Sequence, residues 1–242
     1  MTVAKHGKSY VEARQRYDRE HQYLPSEAVA LVKQLKSSKF DESVELHVRT
    51  GLNVRHADEQ LRGTIALPHG LGKDVKVVVF AQGDKAREAE DAGADVVGSD
   101  DLAKRIEEGF TDFDVAIATP DLMPVVGRLG RILGPSGKMP NPKVGTVTMD
   151  VTKAVQESKA GKVEYRTDRT AIVHMVIGKS SFDEQRLLEN YAAVVEELVR
   201  AKPSVAKGKY IHSITLASTM GPGVKVDPSR TRDILGEAPV AA

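Results

Sequence analysis

The chain has 242 residues, 40% hydrophobic and 29% charged, with a formal charge of +1 at neutral pH and no cysteine. This is the composition of a globular protein of one large or two ordinary domains, and it excludes disulfides, thiolate zinc sites and cysteine nucleophiles. No apolar run approaches the ~20 residues a membrane helix needs, and the charged start MTVAKHGKSYVEARQRYDRE has no signal-type apolar core, so a cytoplasmic location is expected.

In chain order, residues 1–22 are charged and read as a basic arm or a weakly packed helix. Ser26 is a candidate N-cap with Glu27 in the first turn, and Ala28, Leu31, Val32 and Leu35 recur at helical spacing, which predicts a helix over 27–37. After Phe40 the period becomes two. Val44, Leu46 and Val48 alternate with Glu45, His47 and Arg49, the pattern of a half-buried antiparallel strand. Residues 51–60 read as a polar loop and 61–67 as another short strand.

From Pro68 the style changes. Val75 to Ala81 is nearly all apolar, as for a strand covered on both faces. A helix (84–92), a short strand (95–97), a second helix (101–108) and an apolar strand (115–118) follow, the alternation of a parallel α/β layer. A helix over 150–159 leads back to alternating strands. Lys162–Arg166 and Ala171–Ile177 flank Thr167-Asp168-Arg169 and read as a hairpin, with His174 and its alternate neighbours, or the opposite face, turned inward. Leu187, Leu188, Tyr191, Val194, Val195 and Leu198 form one stripe of a helix over 183–201. Residues 210–216 alternate again, and STMGPG (218–223) is a tight turn before a strand at 224–226.

The first flank carries one helix and two strands, too little for a core of its own. The economical arrangement joins both flanks, 1–67 and 160–228, into one discontinuous α+β domain with an antiparallel sheet. A three-layer, Rossmann-like α/β domain with a parallel sheet is then inserted at 68–159, and a flexible tail is expected at 229–242. Three consecutive domains is the alternative.

Charge is unevenly spread. Between Asp84 and Asp114 there are eleven acids against four bases, whereas Leu198 to Val226 contains no acid and holds Arg200, Lys202, Lys207, Lys209 and Lys225. A second acid-free run, GRLGRILGPSGKMPNPK (127–143), combines Arg128, Arg131, Lys138 and Lys143 with four glycines and three prolines. It is expected to be irregular and exposed, suited to phosphate. It is not a phosphate loop of the Walker type. Ile132 stands where the first glycine is required, and Met139 replaces the hydroxyl that holds magnesium. No G-x-G-x-x-G follows the strand at Val75, and no hydrolytic or metal-binding histidine motif occurs. Neither catalysis nor a cofactor is expected, which leaves a nucleotide-binding α/β protein as the weaker alternative to a polyanion binder.

For RNA, the better candidates lie elsewhere. Lys39 and Phe40 enter a strand whose outer face offers Ser43, Glu45 and His47. Thr219-Met220-Gly221 brings a hydroxyl, a flexible apolar side chain and bare backbone into one turn. RNA is read through such shape, stacking and short polar groups. The alternative is that Phe40 is core and the turn is only a turn.

Five motifs in order, KFDESVELHVR (39–49), RGTIALPHGLGK (62–73), AGADVVG (92–98), the 127–143 run and STMGPGVKVD (218–227), resemble the large-subunit ribosomal protein L-one family, the protein of the mobile stalk beside the tRNA exit site. The resemblance covers nearly the whole chain. It implies a discontinuous first domain that grips large-subunit rRNA through Lys39, Phe40, Ser43, Arg169, Thr219, Met220 and Gly221. It also implies contact with exit-site tRNA and other ribosomal components, repression of the protein's own operon through its mRNA, and a monomer off the ribosome; a free-standing RNA-binding repressor that never joins a ribosome is the alternative. Arg128, Arg131, Lys138 and Lys143 would make secondary phosphate contacts. Ser43 stands where threonine is common in the family and Arg169 where lysine is; both keep the hydroxyl or the charge. The tail beyond Arg230 reads as an extension.

Overall fold

The computed structural model describes residues 7–229; the flexible tail expected from 229 therefore lies, from 230 on, outside the described residues. The elements in order are α1 (Lys8–Gln15), α2 (Pro25–Gln34), β1 (Ser43–Thr50), β2 (Arg62–Ala66), β3 (Val77–Phe80), α3 (Asp84–Asp91), β4 (Val96–Gly98), α4 (Asp100–Glu107) and β5 (Val115–Ala118). There follow α5 (Met123–Arg128), α6 (Gly130–Leu133), α7 (Val151–Lys159), β6 (Lys162–Arg166), β7 (Ile172–Lys179), α8 (Glu184–Arg200), β8 (Ile211–Ser218) and β9 (Val224–Val226).

The chain divides into two compact units: the flanks up to Gly72 and from Tyr165 on form one, and Lys73–Glu164 forms the other. In the first, β7-β1-β8-β9 make a four-stranded sheet. Its ladders are antiparallel, so β1, from one flank, lies between β7 and β8 from the other. Alternation decides the inner face. Val44, Leu46, Val48, Val173, Met175, Ile177, Ile214, Leu216, Val224 and Val226 are buried, together with the α8 stripe from Leu187 to Leu198 and Ala28, Val29 and Val32 of α2. The inner set of β7 is thus Val173, Met175 and Ile177, and His174 faces outward.

Two local expectations in this unit change. The start of α2 is capped at Leu24 rather than Ser26, because Pro25 occupies the first helical position, where its missing amide costs nothing. The Glu27 carboxylate accepts the Leu24 amide at 3.2 Å. The expected hairpin after α7 does not form as a ladder. Strand β6 pairs with β2 in a separate two-stranded sheet, and only an isolated bridge, Thr167 to Val173, links the two segments. The Thr167 hydroxyl is drawn instead to Leu61, whose amide it accepts at 3.2 Å.

In the second unit β4-β3-β5 form a parallel sheet. Alternate residues feed two cores, as the strand period requires. Val78, Phe80, Ala116 and Ala118 pack with Leu102, Ile106, Leu129 and Leu133. Val77, Val79 and Ile117 pack with Ala89, Val151 and Val155. The sheet is therefore covered on both sides, as its continuous apolar strands predicted. The basic run 127–143 is not irregular throughout. Its first part continues α5 and forms α6, since Val126, Leu129 and Leu133 recur at helical spacing and are fully buried. That burial outweighs the low helix propensity of Gly127 and Gly130. Asn141 closes the irregular remainder by accepting the Lys143 amide at 2.8 Å.

Candidate nucleic-acid interface

One end of the four-stranded sheet gathers three segments distant in sequence. Where β1 begins and β8 ends, the Ser43 amide donates to the Thr219 hydroxyl at 2.9 Å and the Thr219 amide returns a bond to the Ser43 carbonyl at 3.1 Å. From the start of β1 the chain runs back through Glu42, whose side chain is fully buried. Its Oε1 accepts the Ser38 amide at 2.8 Å and its Oε2 the Met220 amide at 3.2 Å. Burial raises the pKa of this carboxyl, but the neighbouring Ser218 hydroxyl and the Ser38 and Met220 amides outweigh it and hold the group below its ordinary value. A carboxylate is thus kept charged inside the protein as a clamp between two loops.

The third segment follows β7. The Ser180 amide donates to the Glu42 carbonyl at 2.8 Å, and Lys179 Nζ donates to the Ser43 hydroxyl at 2.9 Å. Asp41 accepts the hydroxyls of Ser180 (2.8 Å) and Ser181 (2.7 Å) and the Ser181 amide (3.0 Å), which lower its pKa. The result is a rigid rim of hydrogen bonds, and two large apolar side chains stand out from it. Phe40 is 54% exposed and Met220 56%. Phe40 is therefore not core. Lys39 is exposed beside it, and Gly221 lets the turn close, because a Cβ there would collide with the Ser218 hydroxyl. An exposed ring, a thioether, two hydroxyls and two cations on a fixed frame can stack on bases and hydrogen-bond ribose or phosphate oxygens.

Lys39, Phe40, Ser43, Thr219, Met220 and Gly221 are thus brought together. Arg169 is not. It sits in the turn before β7, at the opposite end of that eight-residue strand from Lys179, roughly 25 Å away along a strand rising about 3.3 Å per residue. There it lines a cleft of about 610 Å³ with Arg55 and Arg166. The turn is tied by Asp168, which accepts the amides of Thr170 (2.8 Å) and Ile172 (2.7 Å) and the Thr170 hydroxyl (2.6 Å). Burial works against that carboxylate, yet these bonds pull its pKa down to about 2.

The sheet's outer face carries His47 opposite His174, their Nδ1 atoms 2.9 Å apart. Burial first, then the charge of His174, depresses the His47 pKa, and Glu45 partly offsets them. Among the described residues no group of three or more His, Cys, Asp or Glu side chains could hold a metal ion. The four cations of the 127–143 run lie in the second unit. Arg128, Arg131 and Lys143 are exposed. Arg128 meets Asp100 at 3.3 Å, while Lys138 donates to the Thr111 carbonyl at 2.9 Å and lies over the Phe113 ring.

Glu42 and Lys179 are the members of this site that sequence reasoning missed. Glu42 lies within the KFDE motif, but an acid beside a basic grip reads as solvated until the partner loop is in place.

The model of the Ribosomal protein L1p/L10e family matches residues 32–222, more than half of the chain. The chain belongs to this family. It is 58% identical over 229 residues to the large ribosomal subunit protein uL1 of Thermobifida fusca (strain YX), covering 95% of this chain and 97% of that relative. This agrees with the motif resemblance, and the family is one of ribosomal proteins rather than enzymes. The matched range includes Phe40, Met220 and the 127–143 run, whereas α1 precedes it. No described helix is long and apolar enough to cross a membrane.

Proposed function

We propose that this chain is a constituent of the large ribosomal subunit that holds large-subunit rRNA through the rim carrying Phe40 and Met220. The observation that carries this is the pairing of two exposed apolar side chains on a frame clamped by a buried carboxylate. Solvent-facing Phe and Met on a rigid support have no role in the protein's own core. On the surface they offer stacking and shape recognition, while Ser43, Thr219, Lys39 and Lys179 supply polar and charged contacts. The name of the uL1 relative points to the same assembly.

The finer reading places the protein at the mobile stalk, where it assists movement and release of deacylated tRNA and, as a monomer off the ribosome, represses its own operon by binding a similar mRNA site. Arg169 with Arg55 and Arg166 makes a separate basic contact. Arg128, Arg131, Lys138 and Lys143 add weaker phosphate contacts. Lys138 contributes least of these, since its ammonium is already engaged by Thr111 and Phe113.

Co-sedimentation of the full chain with purified large subunits tests the proposal. The expected result is stoichiometric recovery with the subunits, abolished when Phe40 and Met220 are both replaced by Ala. Recovery in the supernatant at every salt concentration would overturn it.

A further inference from the structure

A second groove crosses the outer face of β8 and β9. Tyr10 and Arg14 of α1, Tyr17 and Arg19 beyond it, and Thr215, Gly223 and Lys225 from the sheet enclose about 630 Å³. Thr215 and Lys225 are register partners, so they form its floor. The wall is fastened at two points: Ala13 of α1 is buried, and the Tyr17 hydroxyl donates to the Gly223 carbonyl at 2.9 Å. The lining holds three cations and two phenol rings, and no acid.

We propose that this groove is a second RNA-binding site, which takes a single-stranded segment continuous with the RNA held at Phe40 and Met220. The inference rests on the proposed function for its ligand, but its residues are separate from that rim. Continuity is built into the chain. Gly223, in the groove, lies two residues beyond Gly221, so one β8–β9 connection serves both places. An RNA strand leaving Met220 across the outer face meets the groove next.

Charge selects the class of ligand. Arg14 and Arg19 are exposed and make no ion pair with any described acid, so both guanidinium forks are open to phosphate oxygens. Lys225 Nζ is held by Glu20 at 2.7 Å, but the Glu20 side chain is 81% exposed. Such a surface pair is weak, so a phosphate can replace the carboxylate. Tyr10 and Tyr17 are half-buried, with ring surface on which bases can stack. Gly223 keeps the floor open, because a Cβ there would stand 2.9 Å from the Thr215 methyl. Groove-tracking cations interleaved with aromatic rings are what single-stranded nucleic acid requires.

The test uses the full chain and a large-subunit rRNA transcript, with affinity measured against salt concentration. The Arg14→Ala/Arg19→Ala variant is compared with Lys207→Ala/Lys209→Ala, which removes two exposed charges outside both sites. Arg14→Ala/Arg19→Ala should lower affinity about tenfold at moderate salt. It should also flatten the slope of log K against log salt by roughly 1.4, because each single-strand phosphate left without its cation takes about 0.7 from the slope. The lysine variant should change the slope little. Equal slopes for the two variants, or wild-type affinity in Arg14→Ala/Arg19→Ala while Phe40→Ala/Met220→Ala still weakens binding, would overturn the groove and leave the rim intact. Failure of the wild-type chain to bind the transcript would overturn the proposed function itself. Unchanged thermal unfolding of both variants separates weakened binding from damage to the fold, since the replaced side chains are exposed.

Discussion

The amide of Met220 donates to the buried carboxylate of Glu42 at 3.2 Å, across 178 residues of sequence. Through Oε1 the same carboxylate holds Ser38, so one side chain sets the spacing of the Phe40 loop and the Met220 turn. Glu42→Gln replaces one acceptor oxygen with a donor that must face an amide. Leaving one buried group unsatisfied costs about 1–3 kcal/mol. Thermal unfolding of this variant should shift down, and its RNA affinity should fall although Gln touches no RNA.

The sign of the pH effect follows from the depressed pKa of Glu42. Its contribution is fully present above the ordinary value of 4.5 and is lost as pH falls through the lower folded value. Glu42→Gln should therefore lose stability at neutral pH and show a shallower loss in acid. Denaturant titrations carried from neutral pH down through the acid range below 4.5 check this.

Phe40→Ala and Met220→Ala should behave in the opposite sense. Both side chains are more than half exposed, so stability should stay within about 0.5 kcal/mol. RNA affinity should drop by about 1–3 kcal/mol for the ring, the usual range for a stacked base. Calorimetric unfolding beside equilibrium RNA binding separates the two quantities.

The His47–His174 pair gives a second pH signature. The folded pKa of His47 lies below its ordinary 6.5, so its contribution to stability is present above 6.5 and lost as pH falls through the folded value. Glu45, 3.6 Å from the His47 Nε2, moderates but does not reverse this. His47→Gln should flatten the stability profile in the mildly acidic range while leaving neutral stability nearly unchanged. Denaturant midpoints across that range check it.

Asn190 separates structure from binding. Fully buried on α8, it accepts the His69 amide at 3.1 Å and donates to the carbonyls of Gly70 (3.1 Å) and Ile177 (2.7 Å). Asn190→Leu strands these groups and should cost about 2 kcal/mol or more, read from the denaturant midpoint. RNA affinity of the folded fraction should be unchanged, because none of these atoms reaches the rim.

Much of this was legible in the chain because burial follows periodicity. The α8 stripe and the alternation of β1 are local patterns, and each survives folding unchanged. The antiparallel sheet of distant strands and the inserted parallel sheet follow from them. What was not legible depends on partners far away. Phe40 follows a helix and precedes a strand, where core and surface are equally consistent with the sequence. Its exposure is decided by Glu42 and the Met220 turn. Strand β6 looked like half of a hairpin because its alternation says nothing about which neighbour supplies the ladder. The run at 127–143 looked irregular because glycine and proline are counted locally, whereas α5 and α6 extend into it on account of a core that Leu129 and Leu133 enter only in the folded unit.

The most direct measurement of the central claim is RNA affinity of the full chain with one of two sets of side chains truncated. Phe40→Ala/Met220→Ala should weaken binding to a large-subunit rRNA transcript far more than Arg128→Ala/Arg131→Ala/Lys138→Ala/Lys143→Ala, with an almost unchanged salt slope. The basic-run variant should lose little affinity and show a shallower slope. The reverse order of affinities would contradict the account, and would place the main grip on the inserted unit.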